Sequence, residues 1–170
     1  MWAAAICAFR RVRLCEPCDL PMSTKKVLGW REWVSLPAFG LAFVRAKVDT
    51  GARTSALHVD WQEVFHRDGL EWVRFGLHPA DPTAPENAVE APVFARRQVT
   101  DSGGHVGERV FIRTRMVLAG LAFETEINLT SRRAMLFPML LGRSALANRF
   151  VVDPALSFVL GEAPGEDSTS

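Results

Sequence analysis

From Met22 onward the chain has no cysteine, because Cys7, Cys15 and Cys18 all fall within the first 21 residues. Disulfide stapling of the body is therefore excluded, and a reducing, cytoplasmic compartment is compatible. Cys15 and Cys18 form a C-x-x-C, but no second pair exists to complete a zinc site, so the motif reads as a chance feature of an appendage. Long apolar runs are also lacking. None approaches the roughly 20 residues that span a bilayer, so a soluble body with no membrane partner is expected. Nor does one sign of charge dominate: 20 Lys and Arg face 19 Asp and Glu, a formal net charge of +1. No general attraction to nucleic acid follows, and Arg96/Arg97 and Arg132/Arg133 can act only locally. The opening MWAAAICAFRRVR places its apolar stretch before its arginines, and no A-x-A follows, so a secretory leader is not expected.

Two motifs for metal and nucleotide chemistry are missing as well. There is no H-E-x-x-H, and His58, His66, His78 and His105 each lack the i, i+4 partner of a helical zinc pair. His58 and Asp60, two apart, could share a metal from one face of a strand, but no third ligand can be named. A G-x-x-x-x-G-K-[ST] phosphate loop is absent, and the stretch from Ser102 to Gly107 reads as a hairpin tip or mobile loop instead. No metal and no cofactor are expected.

What is present fits one domain: 170 residues, 48% of them hydrophobic, suffice for a real core. Residues 1–21 read as an appendage or over-long start, 22–161 as the domain, and 162–170 as a polar, frayed tail. Short runs rich in Val, Phe, Ile and Trp, separated by Gly, Pro or Asp, predict strands over 27–36, 41–48, 70–77, 89–99, 109–118, 122–129 and 150–160. Leu118-Ala119-Gly120 should turn a hairpin. The proline-rich stretch 78–92 should be a surface excursion, and one short helix should begin after Gly142.

Within this β pattern, AKVDTGARTSAL sets Asp49 at the end of an apolar strand, directly before Thr50 and Gly51. By itself that describes a turn. Some ninety residues on, MLFPMLLGRSALANRF supplies two apolar residues, Leu140 and Leu141, then Gly142, Arg143 and a helix. Together the two blocks resemble the retropepsin-like aspartic proteases. With RRQVTDSGGHVGER, LTSRRAMLFPMLLGR and FVVDP they are similar to the bacterial group that bears the name ATP-dependent zinc protease, a group associated with ATP-grasp ligases that add glutamate to proteins.

The resemblance implies an all-β, closed or nearly closed small barrel acting as an aspartic endopeptidase on a protein or peptide substrate. It implies a homodimer that pairs Asp49 from two subunits so that the carboxylates share a proton and hold a water. Thr50 would brace the paired loops across the dimer, Gly51 would let the backbones approach, and Leu140, Leu141 and Gly142 would support the Asp49 loop from below. Ala52 stands where pepsin-like enzymes carry a hydroxyl, which should leave the dyad more basic. Arg143 loses the acidic partner common in retroviral enzymes, since that position is Arg53. The two guanidiniums are either rewired surface groups or an anion clamp for acidic tails. Asp101-Ser102-Gly103 offers a second acid-protease-like turn, but Arg96, Arg97, Gln98 and Thr100 do not form the apolar strand it needs. The competing classes are a non-catalytic dimeric binding module on the same fold and a metal-dependent protease, as the group's name implies.

Overall fold

The computed structural model of the chain describes residues 25–77, 87–100, 103–131 and 136–159. The three cysteines, His78, Asp101, Ser102, Arg132, Arg133 and the polar tail lie outside the described residues. Within them the chain forms β1 (Lys26–Leu28), β2 (Arg31–Leu36), β3 (Leu41–Val48), β4 (Ser55–His58), β5 (Trp61–Arg67), β6 (Leu70–Leu77), β7 (Asn87–Thr100), β8 (Val106–Leu118), β9 (Leu121–Thr130), β10 (Met139–Leu141), α1 (Arg143–Leu146) and β11 (Phe150–Val152).

Period-two alternation builds the core. On β3 Val44, Ala46 and Val48 are buried while Phe43, Arg45 and Lys47 are exposed; on β8 Val110, Ile112, Thr114, Met116 and Leu118 all turn inward. Such faces are satisfied when the sheet curls on itself, and it does so in the order β2-β3-β10-β4-β9-β8. Ser35 of β2 pairs with Val117 of β8 to close six strands into a barrel. The expected all-β barrel is therefore the observed one.

Beyond β8 the sheet continues through β7, β6 and β5. Strand β7 serves two neighbours: Asn87–Pro92 pair with β6, and Val93–Thr100 pair with β8. Pro92, which has no N–H to donate, sits where the partner changes. Of the proline-rich stretch expected as an excursion over 78–92, residues 87–92 are strand instead, and 78–86 lie outside the described residues. Between β8 and β9 the chain turns on Ala119 and Gly120, both at positive φ (57° and 72°), as a two-residue hairpin of the predicted kind.

Other expectations are corrected. The run 27–36 is two strands, because the chain bends at Gly29, whose N–H donates to Glu32 Oε1 at 2.6 Å. The run 150–160 keeps strand form only to Val152. After Asp153, whose Oδ1 accepts the Ala155 N–H at 2.9 Å, the chain turns back, and Phe158 stacks on Trp33. Three strands escape the sequence reading: β4 and β10 are too short to show alternation, and WQEVFHR of β5 is largely exposed. The helix after Gly142 is present but only four residues long.

Candidate active site

Strand β10 lies between β3 and β4, parallel to the first (Leu141↔Val48) and antiparallel to the second (Leu140↔Ala56). Strands β3 and β4 are consecutive but not neighbours, so residues 49–54 must bridge over the end of β10. Asp49 is the first residue of that bridge. Its position is a consequence of topology.

Backbone hydrogen bonds fasten the bridge to the chain that leaves β10. The Asp49 N–H donates to Leu141 O at 2.9 Å, Arg143 N–H to Ala52 O at 3.0 Å, and Ser144 N–H to Arg53 O at 2.9 Å. The Arg143 guanidinium adds two more, with Nη1 donating to the carbonyls of Thr50 and Gly51, each at 2.8 Å. Gly142 is buried where the two chain segments cross. A Cβ there would stand 2.6 Å from the Thr54 carbonyl oxygen, so only glycine permits the approach. Inside the bridge, Asp49 Oδ1 accepts the N–H groups of Gly51 (3.0 Å) and Ala52 (3.1 Å), which fixes the carboxylate.

Half-buried Asp49 lies in an open groove of about 1220 Å³, with exposed Thr50 and Gly51 beside it. Gly51, Ala52, Arg53 and half-buried Leu140 line this groove too; Leu141 is fully buried beneath. Of the two arginines singled out from the sequence, Arg53 reaches the groove, whereas Arg143 spends its Nη1 on the loop carbonyls.

The opposite wall comes from β7, β8 and β9 and was not found by sequence reasoning. It carries Arg97, Arg109 and Arg113, with Glu126 and Asn128 opposite them. Glu126 receives Arg97 at 2.8 Å and Arg113 at 3.3 Å. Burial pushes its carboxyl up, but these two guanidiniums outweigh burial and hold it below the usual carboxylate value. The one signal in the sequence was the alternating face Arg109-x-Phe111-x-Arg113, paired with Glu126 and Asn128 in the β8–β9 register. Sequence alone does not say which face of a two-sided strand lines a groove.

Among the described residues no three His, Cys, Asp or Glu side chains gather as a metal set. His58 Nε2 stands 3.5 Å from Asp60 Oδ1. The sequence between Thr100 and Val106 contains no lysine for a phosphate.

A closed β-barrel in which an Asp-Thr-Gly bridge is crossed by a Leu-Leu-Gly strand defines the retropepsin-like class. Residues 27–163 match the family described as RimB-like, retropepsin-like aspartic endopeptidase RimB, and the chain belongs to that family. It is 40% identical over 143 residues to a protein of Desulfotalea psychrophila named "Probable alpha-L-glutamate ligase", a match covering 84% of this chain and 31% of that protein. A Shewanella halifaxensis protein of the same name is 40% identical over 139 residues, covering 81% of this chain and 30% of its own length. The chain thus spans about a third of these relatives. Among solved structures, Lpg0085 of Legionella pneumophila, described as of unknown function, superposes with a TM-score of 0.68 at 26% identity, over 80% of this chain and 98% of its own.

Proposed function

We propose that the chain is an aspartic endopeptidase in which Asp49 from each of two copies forms the catalytic dyad. One observation carries this reading: an Asp carboxylate stands at an open groove, fixed by two N–H groups, on a loop bonded to Leu141 and Arg143. A firmly held carboxylate on such a loop is half of an acid-protease site. A second copy related by a two-fold axis through the loops would supply the other half, with Thr50 bracing across the axis.

In such a pair two adjacent carboxylates cannot both ionise, so they share one proton. The ionised member takes a proton from the bound water as the oxygen attacks the peptide carbonyl, and the protonated member donates to the developing oxyanion. Ala52 contributes its backbone N–H to Asp49 Oδ1 and no side-chain hydroxyl.

The substrate class proposed is protein tails rich in glutamate. The groove bears Arg53, Arg97, Arg109 and Arg113 beside Glu124 and Glu126, and because Arg97 and Arg113 pair with Glu126 the reading relies first on Arg53. The relatives named glutamate ligase contain a region similar to this chain, which supports a shared substrate.

The test is hydrolysis of Glu-rich and of unfolded peptides by wild type and Asp49→Asn, with analytical ultracentrifugation of both. Loss of turnover in a folded, dimeric mutant is expected. Equal turnover would remove Asp49 from catalysis, and absence of turnover in the wild type would favour a binding module. Exhaustive chelation should leave wild-type turnover intact, and loss restored by zinc would move the chemistry to a metal.

A further inference from the structure

Asn128 is polar yet buried to 3% exposure, within the groove wall. Its two amide atoms face opposite ways. Nδ2 donates to Ser55 O at 2.7 Å, and Oδ1 accepts from Arg109 Nη1 at 3.1 Å. Ser55, fully buried, continues the chain: its Oγ accepts the Gly142 N–H at 3.2 Å. Four residues from four segments therefore link the groove wall to the crossing that holds the Asp49 bridge.

The orientation of the amide is set by its partners, because a guanidinium can only donate and a carbonyl can only accept. Arg109 thereby fixes which way Asn128 points. Asn128 in turn holds the first residue of β4, next to Thr54, against which Gly142 packs with no room for a Cβ. A shift of Ser55 would move one side of the crossing that carries Asp49.

We propose that Asn128 is a positioning residue for Asp49, and that Arg109 acts on Asp49 through it. This rests on the reading of Asp49 as the catalytic carboxylate. Asn128 touches no reacting atom; it determines where the loop sits.

The experiment combines turnover with amide hydrogen exchange for Asn128→Leu, Arg109→Met and the double variant. Asn128→Leu, close in volume and without hydrogen bonds, should lower kcat by roughly ten- to a hundredfold with KM within about twofold, the size of effect that a small misplacement produces. Arg109→Met should lower kcat in the same direction, and in the double variant kcat should fall no further than in Asn128→Leu alone; any change in KM is read separately, because Arg109 also lines the groove. Exchange at Asp49 and Ala52 should quicken about tenfold or more, while the β5–β6 amides keep wild-type protection. That local pattern is one that general destabilisation would not give. The inference is overturned if kcat and loop exchange stay at wild-type values, if exchange rises equally everywhere, or if the two substitutions add independently. The Asp49→Asn control keeps the two readings apart: should that variant remain active, the catalytic reading fails, while the exchange arm still decides whether Asn128 holds the loop.

Discussion

Arg143 Nη1 donates to the Thr50 carbonyl at 2.8 Å, across 93 residues of sequence. The same nitrogen reaches Gly51 O, so one guanidinium closes the underside of the Asp49 bridge. The acidic partner missing at Arg53 is replaced by two backbone carbonyls. These acceptors carry no charge, but their positions are fixed by the loop itself.

Arg143→Met should therefore lower turnover of acidic and neutral peptides alike, and lower stability by about 1 kcal/mol, the net worth of a typical hydrogen bond at an exposed site. Kinetics on matched Glu-rich and Gln-rich peptides, with thermal melts, check this. A loss confined to acidic substrates would instead make Arg143 a substrate contact.

Arg53 should behave differently, because it is exposed in the groove rather than committed to the loop. For Arg53→Met, KM on Glu-rich peptides should rise with kcat little changed, and neutral peptides should be unaffected. Raised salt should reduce the wild-type preference for acidic peptides by screening the same contact. Unchanged selectivity in the variant would remove Arg53 from recognition.

Glu126 predicts part of the acid sensitivity. Its carboxyl is held below the ordinary value of 4.5 by Arg97 and Arg113, despite the opposing effect of burial. A group whose pKa is depressed in the folded state stabilises fully above its unfolded pKa and loses that contribution as pH falls through the folded value. Glu90 is lowered in the same direction, by hydrogen bonds first from Arg74 and then from Arg67. Urea titrations of wild type and Glu126→Gln between pH 7 and pH 3 should converge as the pH drops below about 4.5. A constant offset across that range would mean that Glu126 contributes by packing rather than by charge.

Glu32 offers a test of the barrel's rim. It is fully buried, and its Oε1 accepts the N–H groups of Gly29 at 2.6 Å and Val159 at 3.2 Å, tying the β1–β2 bend to the returning C-terminal segment. Glu32→Ala strands two backbone donors and should cost about 1–3 kcal/mol for each one left unsatisfied. Glu32→Gln keeps an acceptor oxygen and should cost less. Denaturant unfolding of the two variants gives the order, and a loss in Glu32→Gln as large as in Glu32→Ala would show that an acceptor oxygen alone does not satisfy the site.

Strand β3, the β8–β9 hairpin and the paired blocks around Asp49 and Gly142 were legible in the sequence, for a local reason. Alternating apolar residues end at Asp-Thr-Gly, two residues turn the hairpin, and each signal is complete within a few positions. Strands β4 and β10 gave no such signal. They are three or four residues long and exist because each completes the other's hydrogen bonds within the barrel.

The sequence by itself determined that the chain is β and that Asp49 ends a strand, and its resemblance to the retropepsin-like proteases implied that Leu140, Leu141 and Gly142 belong with it. The tertiary structure decided what Arg143 binds, that Arg97, Arg109 and Arg113 share a wall, and that buried Asn128 connects that wall to the crossing under Asp49. The physical reason is distance along the chain. A strand's composition says which faces are apolar, but not which distant strands become neighbours: the β8–β9 hairpin alone brings Arg109 to Asn128, whereas the long-range β4–β9 and β4–β10 pairings bring Ser55 to Asn128 and to Gly142.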